Sequence, residues 1–200
     1  MLNFLKHRKL VILTRVFLGF ILFGAGMSKL YFEHAFPGII GPVWLEERLA
    51  EHGLALFARF VAFSQVLAGI LLLTQRFATL GAIISFPLFL NILLVTISLE
   101  WQGTPYVNAV FLAMNSYLLF IDYHKLKFII TDTKPAQLPL ERVRKEPRKD
   151  ILFITALVFI FASIPFSYVN LYAAWVLVAL CLCIIAWIQL RKKEQPKETS

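Results

Sequence analysis

Within the long apolar runs of this 200-residue chain, or at their ends, stand Arg15, Lys29, Arg59, Gln65, Asn91, Glu100, Asn108, Asn115 and Asp122. Ionisable residues at membrane depth face a bundle interior, pair with one another, and mark functional sites or structural contacts. Cations there attract oxyanions or a carbonyl oxygen, carboxamides donate and accept hydrogen bonds, and a carboxylate balances charge or takes a proton. Helical spacing of about 100° per residue sorts them onto faces. Arg15, Gly19, Gly26 and Lys29 share one stripe. Ala55, Ala58, Ala62, Gln65, Gly69 and Arg76 form another, with Arg59 beside it. Asn108, Asn115 and Asp122 repeat every seven residues, while Pro87, Asn91 and Ser98 precede Glu100 on a further run. Small residues let membrane helices approach closely, and polar ones bond across the contact. The first, second and fourth runs are therefore expected to meet around a shared polar seam. Arg15 and Asp122 share a depth and are expected to pair. Lys29, Arg59, Glu100 and Asn108 belong to the opposite layer, with Gln65, Asn91 and Asn115 deeper. Two readings of the seam stand: a ligand site, or helix-packing glue in which Arg15 and Lys29 snorkel to the headgroups.

The elements that carry these residues follow from composition. Hydrophobic residues make up 59% of the chain and charged residues 16%, with a mean hydropathy of +0.73. A soluble domain is about 45–50% apolar and about 25% charged. The expectation is an all-α, polytopic integral membrane protein, because an open sheet edge cannot be satisfied in lipid. Crossing the hydrocarbon takes about 20 helical residues. Six runs qualify: 10–30, 54–74, 78–99, 107–121, 151–168 and 171–190. The fourth is short and borrows from its flanks. Residues 1–128 are expected to form a four-span core, 129–150 a basic linker containing Pro135, Pro139 and Pro147, 151–190 a two-span hairpin, and 191–200 a tail. Near 42–52, Pro42 and Trp44 precede alternating apolar and charged residues, the pattern of a short interfacial helix that serves as a lid or a plain connector.

Charge sets the orientation. The net charge of +8 is not a nucleic-acid footprint, because the cations fall mainly in the segments between apolar runs. With the amino terminus in the cytoplasm, sixteen basic residues lie on that side and two, Lys29 and Arg48, on the other. That asymmetry predicts a multi-pass protein of the cell (inner or plasma) membrane with both termini cytoplasmic. The first run is expected to be retained, since Arg15 interrupts what would otherwise resemble a signal peptide. Cys181 and Cys183, a C-x-C inside the last run, read as small side chains in a buried helix rather than a disulfide framework. His7, His34, His52 and His124 all flank the runs, so a bis-histidine haem across the bundle is not expected. No metal-ligand cluster, dinucleotide fingerprint or nucleophile motif is present.

Arg15 with "GAGMSKL" at the end of the first run, "FSQVLAGILLLTQRFATLGA" at 63–82 and "NSYLLFID" at the end of the fourth resemble the DoxX/DoxD-like family of bacterial membrane proteins. The resemblance covers residues 10–128. It implies a four-helix membrane subunit linked to sulfur or thiol redox chemistry, of which thiosulfate:quinone oxidoreductase is the named activity. Family members commonly carry an acidic residue where Gln65 stands, followed by the glycine matched by Gly69. Electrons would pass through a quinone or a cofactor on a redox partner subunit. Three functions are carried forward: a redox-associated subunit binding a quinone or small oxyanion, a non-catalytic assembly or scaffold protein, and a small-solute transporter. The last lacks a visible inverted repeat. Oligomers are compatible with each.

Overall fold

A computed structural model of the chain describes residues 2–37, 45–130 and 147–190. Among the described residues the chain is helical, with a single 3₁₀ turn at Phe32–His34 and no strand. The helices are α1 (Leu2–Leu30), α2 (Leu45–Ala50), α3 (Ala55–Leu73), α4 (Ala78–Ser98), α5 (Thr104–Ile121), α6 (Tyr123–Ile130), α7 (Pro147–Ser167) and α8 (Leu171–Leu190). Five stretches are long and apolar enough to cross a membrane: Arg8–Leu30, Ala55–Leu73, Ala78–Ser98, Thr104–Ile121 and Asp150–Ser167. The chain is an all-α, polytopic membrane protein. Its sixth expected span is the helix α8, whose apolar stretch Leu171–Trp187 is shorter than the others.

Boundaries follow from local chemistry. α5 begins three residues before its apolar run because Pro105 occupies the first turn, where its missing N–H costs nothing and its φ is already helical. α4 closes where Glu100 takes a left-handed φ of 52° while Trp101 N–H donates to the Thr96 carbonyl at 3.0 Å. That closure satisfies a carbonyl the helix end leaves open. The basic segment after the fourth run starts as the helix α6, which runs two residues into the expected linker 129–150 and in which Tyr123, Leu126 and Ile130 repeat at helical spacing. Pro42 and Trp44 lie outside the described residues, as does most of the linker; within the segment 42–52 expected to be interfacial, the described helix is the short α2.

The chain divides into two compact units. The first holds α1 and α2 to α6. Its centre is the α1–α3 pair, with α4 against α3 and α5 chiefly against α4. Val11, Leu18, Leu22, Ala68, Leu72, Phe89, Phe111 and Leu118 are buried together there. The α1–α3 approach is set by glycine. A Cβ on Gly69 would fall 2.5 Å from the Phe23 nitrogen and 2.8 Å from the Gly19 oxygen. One on Gly26 would fall 2.7 Å from the Ala62 oxygen. Backbone therefore meets backbone along this contact, the close approach through which membrane helices gain van der Waals energy without a hydrophobic driving force.

The second unit comprises residues 31–35 with α7 and α8. Ala156, Ile160 and Ser163 on α7, and Ala174, Val178, Cys181 and Ile185 on α8, are buried at steps of three and four. Such a seam joins two long helices. Cys183, two positions from Cys181 and so on the opposite side, is exposed; both cysteines are free. Residues 31–35, expected to be the start of a loop, fasten onto this hairpin. The Ser163 hydroxyl donates to the Ile160 carbonyl, so Tyr31 Oη donates to Ser163 Oγ, at 2.7 Å. Phe32 N–H donates to Ser167 Oγ at 3.2 Å, and Trp175 Nε1 to the Ala35 carbonyl at 2.9 Å.

Gly69→Val is expected to lower stability by about 3 kcal/mol, since overfilling a close-packed contact forces backbone shifts. Gly53→Ala is the comparison: its φ is 73° and nothing lies within 4 Å, so only the left-handed backbone resists, at about 1–2 kcal/mol. Thermal unfolding in nanodiscs checks the pair, and equal melting shifts would contradict the packing.

Candidate functional site

Most hydroxyls inside the spans bond their own helices. Thr14 donates to the Leu10 carbonyl, Thr74 to Ile70 and Ser85 to Gly81, each one turn back. Ser28 likewise bonds Gly24. Short side chains reach the i−4 carbonyl, so they need no partner across the bundle. Guanidinium and ammonium groups have no acceptor within such reach, and the carboxylate needs donors. Their partners show how the helices are arranged.

At one end of α1, Arg15 Nη2 donates to Asp122 Oδ2 at 2.5 Å. The same oxygen accepts from Thr79 Oγ1 at 2.9 Å. This is the pair expected from depth, and it links α1 to the C-terminal cap of α5 and the first turn of α4. The Asp122 side chain is 3% exposed and that of Arg15 14%, so the guanidinium does not snorkel. Thr79 carried no signal in the sequence; only the fold brings it to the carboxylate.

At the other end, about 21 Å along the helix, Lys29 Nζ donates to Gln65 Oε1 at 2.9 Å. Lys29 is 7% exposed and Gln65 3%. Side chains on a helix lean toward its N-terminus. Gly26 packs on Ala62 and Val66, which puts Gln65 one turn back from Lys29. The lysine thus runs inward along the α1–α3 contact instead of outward past Leu30. Among the described residues no carboxylate pairs with it. An ammonium has three donors, and Gln65 takes one.

The remaining candidates do not join this pair. Arg59 is on the outward side of α3, its side chain 64% exposed, with Nε bonded to Glu46 Oε1 of α2 at 2.6 Å. Its partner is the interfacial helix, not a bundle interior. Glu100 is exposed at the turn after α4. Asn108 is buried but bonds its own helix at the Thr104 carbonyl, 3.2 Å away. Asn115, fully buried, donates to the Ala82 carbonyl of α4 at 2.9 Å and leaves Oδ1 an open acceptor. Asn91 is exposed, at the edge of a shallow apolar cleft lined by Leu49, Phe57, Ala58, Val61, Ile92 and Val95. The first and second spans do share a seam. The fourth reaches the first through Asp122 on Arg15 and through Phe111, whose ring meets Phe17 edge-on at 6.0 Å. The polar residues thus form separate contacts, and in the Lys29–Gln65 contact the buried charge has no carboxylate partner among the described residues. Among the described residues no group of His, Cys, Asp and Glu is arranged to hold a metal ion.

These features define a multi-helix membrane protein with a buried lysine–glutamine pair in its central helix contact. The chain belongs to the same family as the uncharacterized protein YwoB of Bacillus subtilis (strain 168), with which it is 30% identical over 122 residues, 56% of this chain and 75% of that protein. No family model and no solved structure matches it.

Asp122→Leu is expected to destabilise the protein by about 3 kcal/mol, because it leaves a largely buried guanidinium without its counter-ion. Combining it with Arg15→Met should restore most of that loss. Unfolding of the single and double variants measures both, and additive losses would contradict a coupled pair.

Proposed function

We propose that this chain is a membrane subunit of the DoxX-like kind, working in sulfur or thiol redox chemistry, and that Lys29 receives the oxygen atoms of a quinone or a small oxyanion. The observation that carries the reading is the ammonium of Lys29, turned into the bundle and held by one neutral amide. Removing an ammonium from water costs several kcal/mol even after relaxation, and a carboxamide returns only part of it. An anion or a strongly polarised carbonyl would supply the missing compensation. In the family resembled here an acidic residue commonly stands at the Gln65 position. With glutamine in its place, the lysine has no carboxylate partner among the described residues, and two of its three donors are left for a ligand.

The distribution of basic residues supports an inner-membrane orientation with both termini cytoplasmic. Lys29 then sits in the outer half of the bilayer and Arg15–Asp122 at the cytoplasmic face. A partner subunit would deliver or accept the electrons, since a lysine and an amide bind and orient a redox molecule but carry no electrons themselves.

A second reading, an assembly scaffold, draws on the backbone-close contact around Gly26 and Gly69. The two separate on Lys29→Met. Purified in nanodiscs and extracted, the wild type is expected to yield bound quinone, or to bind thiosulfate or sulfite, with at least ten-fold weaker occupancy in the variant. If neither protein holds either ligand and Lys29→Met only raises the melting temperature, the scaffold reading stands and the ligand reading falls.

A further inference from the structure

α4 presents an outward face in a 3-4-3-4-3 rhythm: Leu80, Ile83, Pro87, Leu90, Leu94 and Ile97 are all exposed. Lipid alone would accept such a stripe. Beside it, however, stands Asn91, also exposed and, among the described residues, without a hydrogen-bond partner. Asn91 lies thirteen residues into α4 and seven before its last residue, about 10 Å from that end by helical rise. It is therefore within the hydrocarbon, where a bare carboxamide has neither water nor headgroup to satisfy it. Serines and threonines of the spans solve the problem by bonding their own helix. Asn91 does not. Pro87, one turn earlier, also deprives the Ile83 carbonyl of its helical N–H, and both residues belong to the same stripe.

We infer that this face of α4 is the contact between two copies of the chain. Two copies inserted in the same direction and related by a two-fold axis along the membrane normal present Asn91 to Asn91 at one depth. A carboxamide carries both a donor and an acceptor, so each side chain completes the other. An unrelated partner would need a matching group at that same level. A second copy has one by symmetry. The apolar stripe, at the seven-residue repeat of a two-helix seam, packs on either side of the amide pair.

Cysteine cross-linking in native membranes tests the contact, starting from a Cys181→Ala, Cys183→Ala background. Leu90→Cys, Leu94→Cys and Ile97→Cys are expected to form disulfide-linked dimers on oxidation. Val110→Cys and Phe120→Cys, more exposed but on α5, are not. Single-molecule photobleaching in liposomes should then show Asn91→Leu weakening self-association about five- to thirty-fold, with Asn91→Gln retaining most of it. The inference is overturned if the α4 and α5 cysteines cross-link alike or if the wild type is monomeric at every dilution. It is equally overturned if Asn91→Leu leaves association unchanged and lowers only the melting temperature, the sign of a partner within the chain.

Discussion

Hydrocarbon offers no hydrogen bonds, so every polar group in these spans must find its partner inside the protein, and that constraint arranges the molecule. Most hydroxyls close onto their own helices, Thr79 excepted, as does the carboxamide of Asn108. The other charges and carboxamides draw α1 to α5 through Arg15 and Asp122, α1 to α3 through Lys29 and Gln65, and α5 to α4 through Asn115. Shape adds to the α1–α3 bond: at Gly69 the backbone of α1 stands where a methyl group would have to be.

That close contact also explains why Lys29 turns inward. With Gly26 against Ala62 and Val66, the two helices are near enough for a lysine on α1 to lie along α3 and meet Gln65 without crossing open lipid. A bulkier residue at either glycine would part the helices and free the lysine to reach the headgroups. Packing and electrostatics are thus one device here: small residues create the narrow polar interior, and the interior holds a charge that nothing nearby neutralises.

Much of this was legible in the residues before any coordinates. Span boundaries follow from apolar length: α3, α4 and α8 match them to within a residue, Pro105 starts α5 three residues early, and α1 begins eight residues sooner, at Leu2. The Arg15–Asp122 pair followed from depth, and the α1–α3 seam from the spacing of Gly19, Gly26 and Gly69. Less was legible wherever the answer depended on which way a long side chain turns. Arg59 sat beside the seam by periodicity and was expected inside; the glutamate that draws it outward, Glu46, belongs to a short helix whose placement no spacing rule gives. The nine candidates were expected to converge, yet helical periodicity reports a face, not the neighbour that face meets, and α5 packs mainly on α4. The attachment of Tyr31 to Ser163 joins residues 132 positions apart and had no local signal.

The family shared with YwoB brings no activity with it, so function here rests on the state of one ammonium group. Solid-state NMR of ¹⁵Nζ-labelled lysine in phospholipid bilayers, with Lys29 assigned through Lys29→Arg, addresses it directly. A side chain held by Gln65 will show a through-space contact from its Nζ to the Gln65 carboxamide carbon and no ³¹P dephasing from lipid phosphate. Strong dephasing by phosphorus, with no contact to Gln65, would put the lysine at the headgroups and contradict the account.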